Sequence, residues 1–167
     1  FGESPENLEA FGKIHKTVDL GGAMLAPGVA NIHTHGRAGG DFNTADADLM
    51  LSMSRSYLES GVTSVMPTLA SDTFEGLCRS IDQIQTAKAA GAGNFFGVHL
   101  EGRFLNKKRR GAHAESLLAP LDATELSRLI IEMKKVGAAH ISAALELDGS
   151  GEFTKTAIEN GATLGLA

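Results

Sequence analysis

Two pairs of side chains in this sequence have the types and spacing to bind a metal ion: His33-Thr34-His35 and His99-Leu100-Glu101. Each pair ends a short run dominated by apolar residues, Val29-Ala30-Asn31-Ile32 and Phe95-Phe96-Gly97-Val98. Residues i and i+2 of a strand point to the same face. His33 therefore projects beside His35, and His99 beside Glu101. Imidazoles with a carboxylate suit one or two divalent ions, Zn²⁺ or Fe²⁺, and leave coordination positions open for water and substrate. Such an ion acidifies water and polarises a carbonyl. Two histidines on an edge strand can also be plain surface, and it is the second pair that weighs against that reading.

Repeated strand–helix units must carry these pairs. The spacing predicts a strand into His33, then a helix capped by Asn43 and running to about Ser60. Its buried stripe is Leu49, Met50, Met53, Tyr57 and Leu58, and Gly61 closes it. Val62–Met66 reads as a second strand stopped by Pro67. Ser71 or Asp72 opens a helix striped by Phe74, Leu77, Cys78, Ile81 and Ile84, with Cys78 as core. Residues 95–101 form a third strand, followed by a long loop to about Pro120. Asp122 with Glu125 starts a third helix, buried through Leu126, Leu129, Ile130 and Met133. Ala138–Leu147 is a fourth strand, Glu152–Asn160 a short helix, and Ala162–Leu166 a fifth strand. The alternation argues a parallel sheet, either doubly wound or a barrel. At about 28 residues per unit, eight units need roughly 225 residues, near the ~250 of a (β/α)₈ barrel. The expected fold is α/β, with residues 28–167 forming about five of eight strands of such a barrel. Residues 1–27 read as part of a small β unit, with a hairpin-like strand pair at Lys13–Leu20 and Met24–Ala26.

Composition sets outer limits. The 167 residues carry a net charge of -5 and are 43% hydrophobic, giving no reason to expect nucleic acid or an anionic membrane as partner. A single cysteine rules out an internal disulfide and fits a reducing, cytoplasmic compartment. No apolar run is long enough to span a membrane. The chain starts at Phe1 and stops at Ala167 within an apolar run, and both ends read as cut. The glycine-rich turn Arg37–Asp41 matches no phosphate-binding pattern and reads as a tight turn. Lys107-Lys108-Arg109-Arg110 reads as a solvated charge run that could attract an anionic substrate. His15 and His140 have no motif around them and read as structural.

Taken in order, Asp19-Leu20-Gly21-Gly22, Ala26-Pro27-Gly28 and His33-Thr34-His35-Gly36 resemble the opening of the amidohydrolase superfamily. Gly61-Val62-Thr63-Ser64, Pro67-Thr68-Leu69, His99-Leu100-Glu101-Gly102, Phe104-Leu105-Asn106 and Gly111-Ala112-His113 narrow this to a resemblance to the N-acetylglucosamine-6-phosphate deacetylase family. Arg103 stands where that family usually has proline. The resemblance implies metal-dependent hydrolysis of the N-acetyl group of N-acetylglucosamine 6-phosphate, yielding glucosamine 6-phosphate and acetate. It implies Glu101 as principal metal ligand, with His33 and His35 holding a second ion. His113 then reaches the substrate, and His99 stands behind the ligands or in the barrel core. The catalytic aspartate is expected beyond Ala167, so residues 1–167 alone are expected to be inactive. A phosphorylated amino sugar is the implied small-molecule partner, and a homo-oligomer, a dimer, is expected of the full-length protein. Two alternatives remain: another amidohydrolase acting on a cyclic amide, and a non-catalytic metal-binding fragment or pseudoenzyme.

Overall fold

A computed structural model describes Gly12 and residues 16–167. Its strands are β1 (Val29–Thr34), β4 (Val62–Leu69), β5 (Gly97–Glu101), β6 (Ala138–Ala143) and β7 (Thr163–Leu166), with a two-residue pair β2 (Gly36–Arg37) and β3 (Gly40–Asp41) after β1. Between them lie helices α1 (Ala47–Glu59), α2 (Phe74–Ala89), α3 (Ala123–Val136) and α4 (Glu152–Glu159). The five main strands are parallel and lie in the order β1-β4-β5-β6-β7. Each unit adds its strand beside the preceding one. This is the curled half-barrel expected of a partial (β/α)₈ fold.

The two faces of this sheet differ. Val65 and Leu69 of β4, Val98 and Leu100 of β5, and Ala139, Ile141 and Ala143 of β6 belong to the apolar core. They meet Met50, Met53 and Tyr57 of α1, Leu77, Ile81 and Ile84 of α2, and Leu126, Leu129, Ile130 and Met133 of α3 in that core. The alternate residues Thr68, His99, Glu101, His140 and Ser142 make the other face, which is polar. Strand alternation thus separates a dry face under the helices from a face available for chemistry.

Several boundaries depart from expectation. Asp46, not Asn43, caps α1, accepting from the Leu49 N–H at 2.9 Å. Asn43 instead pairs with the backbone of Ala70 in both directions, at 3.1 and 2.9 Å. The buried stripe of α1 is Met50, Met53, Ser54 and Tyr57, while Leu49 and Leu58 are exposed. Thr73 caps α2 through the Gly76 N–H. β4 runs through Pro67 to Leu69, because the ladder to β5 is interrupted between the Val65–Phe95 bridge and the Thr68–His99 pair. A proline's missing donor costs nothing in such a gap. β6 ends at Ala143, and Leu145–Leu147 forms a 3₁₀ turn. The anticipated N-terminal strand pair falls partly outside the described residues. From Lys16 to Gly28 the chain holds only a turn and irregular backbone, with Val18, Leu20, Met24 and Leu25 exposed. A lone hairpin with no apolar surface to cover is marginal in water. Among the described residues, no helix is long and apolar enough to cross a membrane.

Candidate functional site

The C-terminal end of β1 is held in place before its histidines are used. The Thr34 N–H donates to Thr68 Oγ1 of β4 at 2.8 Å. On the helix side, the Thr34 hydroxyl lies 2.6 Å from Tyr57 Oη, which donates to the Gly36 carbonyl at 3.0 Å. A register shift between Asn31 and Thr34 turns the strand at His33. The Asn31 side chain accepts from the His33 N–H at 3.1 Å within that shift. Thr34 is thus pinned from both sides, and the residues flanking it project onto the polar face.

There His33 Nε2 and His35 Nε2 approach one oxygen, Oε2 of Glu101, at 3.1 and 2.7 Å. One ligand atom from each of the three lies within 4.8 Å of the others. The two imidazoles are about half exposed at their outer edges, so the cluster is open to a small molecule on one side. Burial raises the Glu101 carboxyl, but the neighbouring charges and hydrogen bonds of His33 and His35 outweigh it and hold the group below its usual value. The carboxyl is therefore ionised at neutral pH. Among the described residues His35 Nδ1 is buried without a hydrogen-bond partner, so the polar bonding of that ring is on the side facing Glu101. Two imidazole nitrogens and a carboxylate converging with one open side form a donor set that fits a divalent cation.

His99 stays apart from this set and lies behind it. Its Nδ1 is 3.1 Å from the Ile32 carbonyl, which only accepts, so Nδ1 carries the proton. Nε2 then accepts from the Ser142 hydroxyl at 2.9 Å. The His99 ring stands 4.8 Å from His33 and 4.7 Å from His140, centroid to centroid. Burial first, then the His140 and His33 charges, lower its pKa to about 4, so it remains neutral in ordinary buffers. Among the described residues it wedges β1 against β5 and β6, and no spacing rule could have assigned its partners. His140, read from sequence as structural, packs on this ring and bonds Thr163 Oγ1 at 2.8 Å. His15 lies outside the described residues.

His113 lies in a second part of the site. It lines a cleft of about 290 Å³ with His35, Asp41, Ala70, Ser71, Ala112 and Ala114. The loop carrying it is anchored by Phe104, buried against Phe153 with ring centroids 5.0 Å apart. Arg110 Nε also donates to the His113 carbonyl at 3.1 Å. The charge run is therefore only partly a solvated face. Lys107 and Arg110 approach Glu115 loosely, at 3.6 and 3.8 Å, and Lys107–Arg109 winds into one 3₁₀ turn.

Residue 103 has a left-handed backbone, φ 60°. A proline ring, locked near -65°, cannot adopt it. The Arg103 guanidinium pairs with the Glu125 carboxylate, its Nη2 lying 3.2 Å from Oε2, and its Nη1 donates to the Asp72 carbonyl at 2.9 Å. These bonds hold an otherwise unfavourable conformation. Sequence reading gave no signal for this pairing, because Glu125 was accounted for by its place in the first turn of α3.

No protein-family profile matches the chain. Sequence relatives do. It is 32% identical over 154 residues to the N-acetylglucosamine-6-phosphate deacetylase of Mus musculus, covering 89% of this chain and 37% of that protein. With the enzyme of the same name from Bos taurus it shares 38% over 110 residues, 63% of this chain and 27% of the other. Among solved structures, N-acetyl-D-glucosamine-6-phosphate deacetylase from Mycobacterium smegmatis superposes with a TM-score of 0.75 at 26% identity, over 84% of this chain and 36% of that one. A D267A mutant of the same protein has been solved in complex with N-acetyl-D-glucosamine-6-phosphate, again with a TM-score of 0.75. The chain spans less than two-fifths of the length of these relatives.

Proposed function

Because the chain belongs, by sequence and by fold, with the N-acetylglucosamine-6-phosphate deacetylases, we propose that it supplies the metal-binding and part of the substrate-binding machinery of such a hydrolase. The observation that supports this most directly is the convergence of His33, His35 and Glu101 on one point at the C-terminal end of the sheet. Active sites of (β/α)₈ enzymes lie at that end.

In this reading Glu101 is the principal ligand, and His33 and His35 complete its site or hold a second ion. A divalent ion bound there supplies Lewis acidity, making water more acidic and a carbonyl more electrophilic. The chain's own residues do the rest of what is assigned to it. Glu101 remains ionised and offers negative charge to the cation. His99, neutral and bonded on both ring nitrogens, keeps β1 and β5 at a fixed separation. His113, across the cleft from His35, hydrogen-bonds the substrate. The substrate class is a phosphorylated N-acetylated amino sugar, toward which the Lys107–Arg110 run adds attraction, and the assembled form is a dimer. The aspartate that moves the proton to the leaving amine is not among these residues, so residues 1–167 by themselves do not turn over.

The test is metal analysis coupled to an acetate-release assay on N-acetylglucosamine 6-phosphate, with residues 1–167 and a full-length version side by side. The expected result is metal in both, with turnover in the second alone. Turnover of a cyclic amide in preference to the amino sugar, or no metal in either protein, would overturn the reading.

A further inference from the structure

Three polar contacts meet at Ser71, and together they determine which nitrogen of His113 carries its proton. Ser71 is buried, 8% exposed, where β4 gives way to α2. Its Oγ accepts from the Arg103 N–H at 2.6 Å. That bond leaves the hydroxyl proton free for the remaining neighbour, His113 Nδ1, at 2.8 Å. The Ser71 N–H points to the same Nδ1 at 3.3 Å. A backbone N–H cannot reverse its role, and two donors converging on one ring nitrogen require its lone pair. Nδ1 is thus the acceptor, and in the neutral ring the proton must be on Nε2. Nε2 has no hydrogen-bond partner among the described residues, and it is not buried without one.

The neighbouring glycine shows that this contact is built into the loop. Gly102 is left-handed, φ 110°, and a Cβ there would collide with both Ser71 Oγ and the His113 ring. Only glycine allows hydroxyl and imidazole to meet at that point. Arg103 follows with its own left-handed backbone, held by Glu125 and the Asp72 carbonyl, and this turns its N–H onto Ser71.

We infer that Ser71 is a positioning residue: backed by the Arg103 main chain, it locks His113 in the Nε2–H tautomer. The ring then meets the substrate as a hydrogen-bond donor, and the group it selects is an oxygen acceptor such as a carbonyl, hydroxyl or phosphate oxygen, not an N–H. The substrate role of His113 rests on the function proposed above. The tautomer does not.

The experiment therefore reads the two separately. Protein labelled with ¹⁵N at histidine is examined by long-range ¹H–¹⁵N correlation at about pH 8, above the usual imidazole range. The His113 signals are assigned by their absence in His113→Gln. The expected wild-type pattern is an unprotonated, hydrogen-bonded Nδ1 and a protonated Nε2. In Ser71→Ala the Nδ1 resonance should move away from its wild-type position, and in Ser71→Thr, which keeps the hydroxyl, it should return. In a full-length protein kcat/KM should fall about tenfold with Ser71→Ala and recover with Ser71→Thr. A protonated Nδ1 in the wild type, or an Nδ1 signal unmoved by Ser71→Ala, overturns the lock. A displaced Nδ1 signal with unchanged kcat/KM leaves the lock in place and overturns the substrate role of His113.

Discussion

His33, His35 and Glu101 stand on strand ends, where pleat and register aim them, whereas His113 stands on a loop and is aimed by bonds from elsewhere. The first group depends on Thr34 being pinned between Thr68 and Tyr57 and on His99 filling the space behind. The second depends on Ser71, on the Arg110 bond to its carbonyl, and on the room left by Gly102. A strand-borne site should lose its ligand, but not its shape, when one of its members is changed. A loop-borne site should lose its shape when a distant partner is changed.

The largest effect should come from Glu101→Gln. Removing the one carboxylate should lower metal affinity by more than the roughly 10–100-fold typical of losing a supporting residue. Circular dichroism should be unchanged, and full metal occupancy in this variant would dissolve the distinction. The next should come from His113→Ala, with metal content intact and kcat/KM reduced by about 1–3 kcal/mol of transition-state binding. Metal loss in His113→Ala would show that the two regions are one. Changing His33 and His35 together to asparagine should leave one bound ion, held through Glu101, countable by elemental analysis. Arg103→Ala should cost about 1 kcal/mol of stability in a urea titration, since its ion pair is partly buried and also holds a left-handed backbone. It should broaden His113 signals while leaving those of His33 and His35 in place.

The smallest effect is a pH dependence. His99 has a native pKa of about 4 against an ordinary value of 6.5, so the unfolded chain takes up the proton first. Stability from this group is therefore fully present above about pH 6.5 and is lost as pH falls toward 4. His99→Gln, keeping an amide to bond Ile32 or Ser142, should flatten that slope in metal-free protein. An unchanged slope would place the acid sensitivity elsewhere.

The same contrast governs what could be read in the sequence. Alternation is local, so two residues apart meant one face, and the helices followed from apolar stripes and capping residues such as Asp122, which accepts from the Glu125 N–H at 2.9 Å. The strand–helix repeat implies a parallel sheet, and the length of each unit is what points to five strands of a barrel. Missed features were non-local. Asn43 had the type of a cap, yet Asp46 took that role, because a second bonding option 27 residues away, at Ala70, was invisible. Pro67 looked like a stop because nothing in sequence shows where a ladder is interrupted. Arg103 and Glu125 are 22 residues apart, Ser71 and His113 are 42 apart, and neither pair has a spacing rule.

The strand order has one more consequence, for the way the chain acquires its structure. Every main-strand pairing joins a strand to that of the following unit, β1 to β4, β4 to β5, β5 to β6 and β6 to β7. Each pairing closes a loop of only a few tens of residues, and the entropy of closure grows slowly with length. Contact order is therefore low for a parallel sheet, a property that speeds folding. A polypeptide emerging from the ribosome can add one unit at a time to the growing edge, as nascent domains generally fold from the N-terminal side. His33 and Glu101 both stand on the first three main strands of that order, so the pairing of β1, β4 and β5 is all that their meeting requires of the sheet, and β7 lies at its far edge.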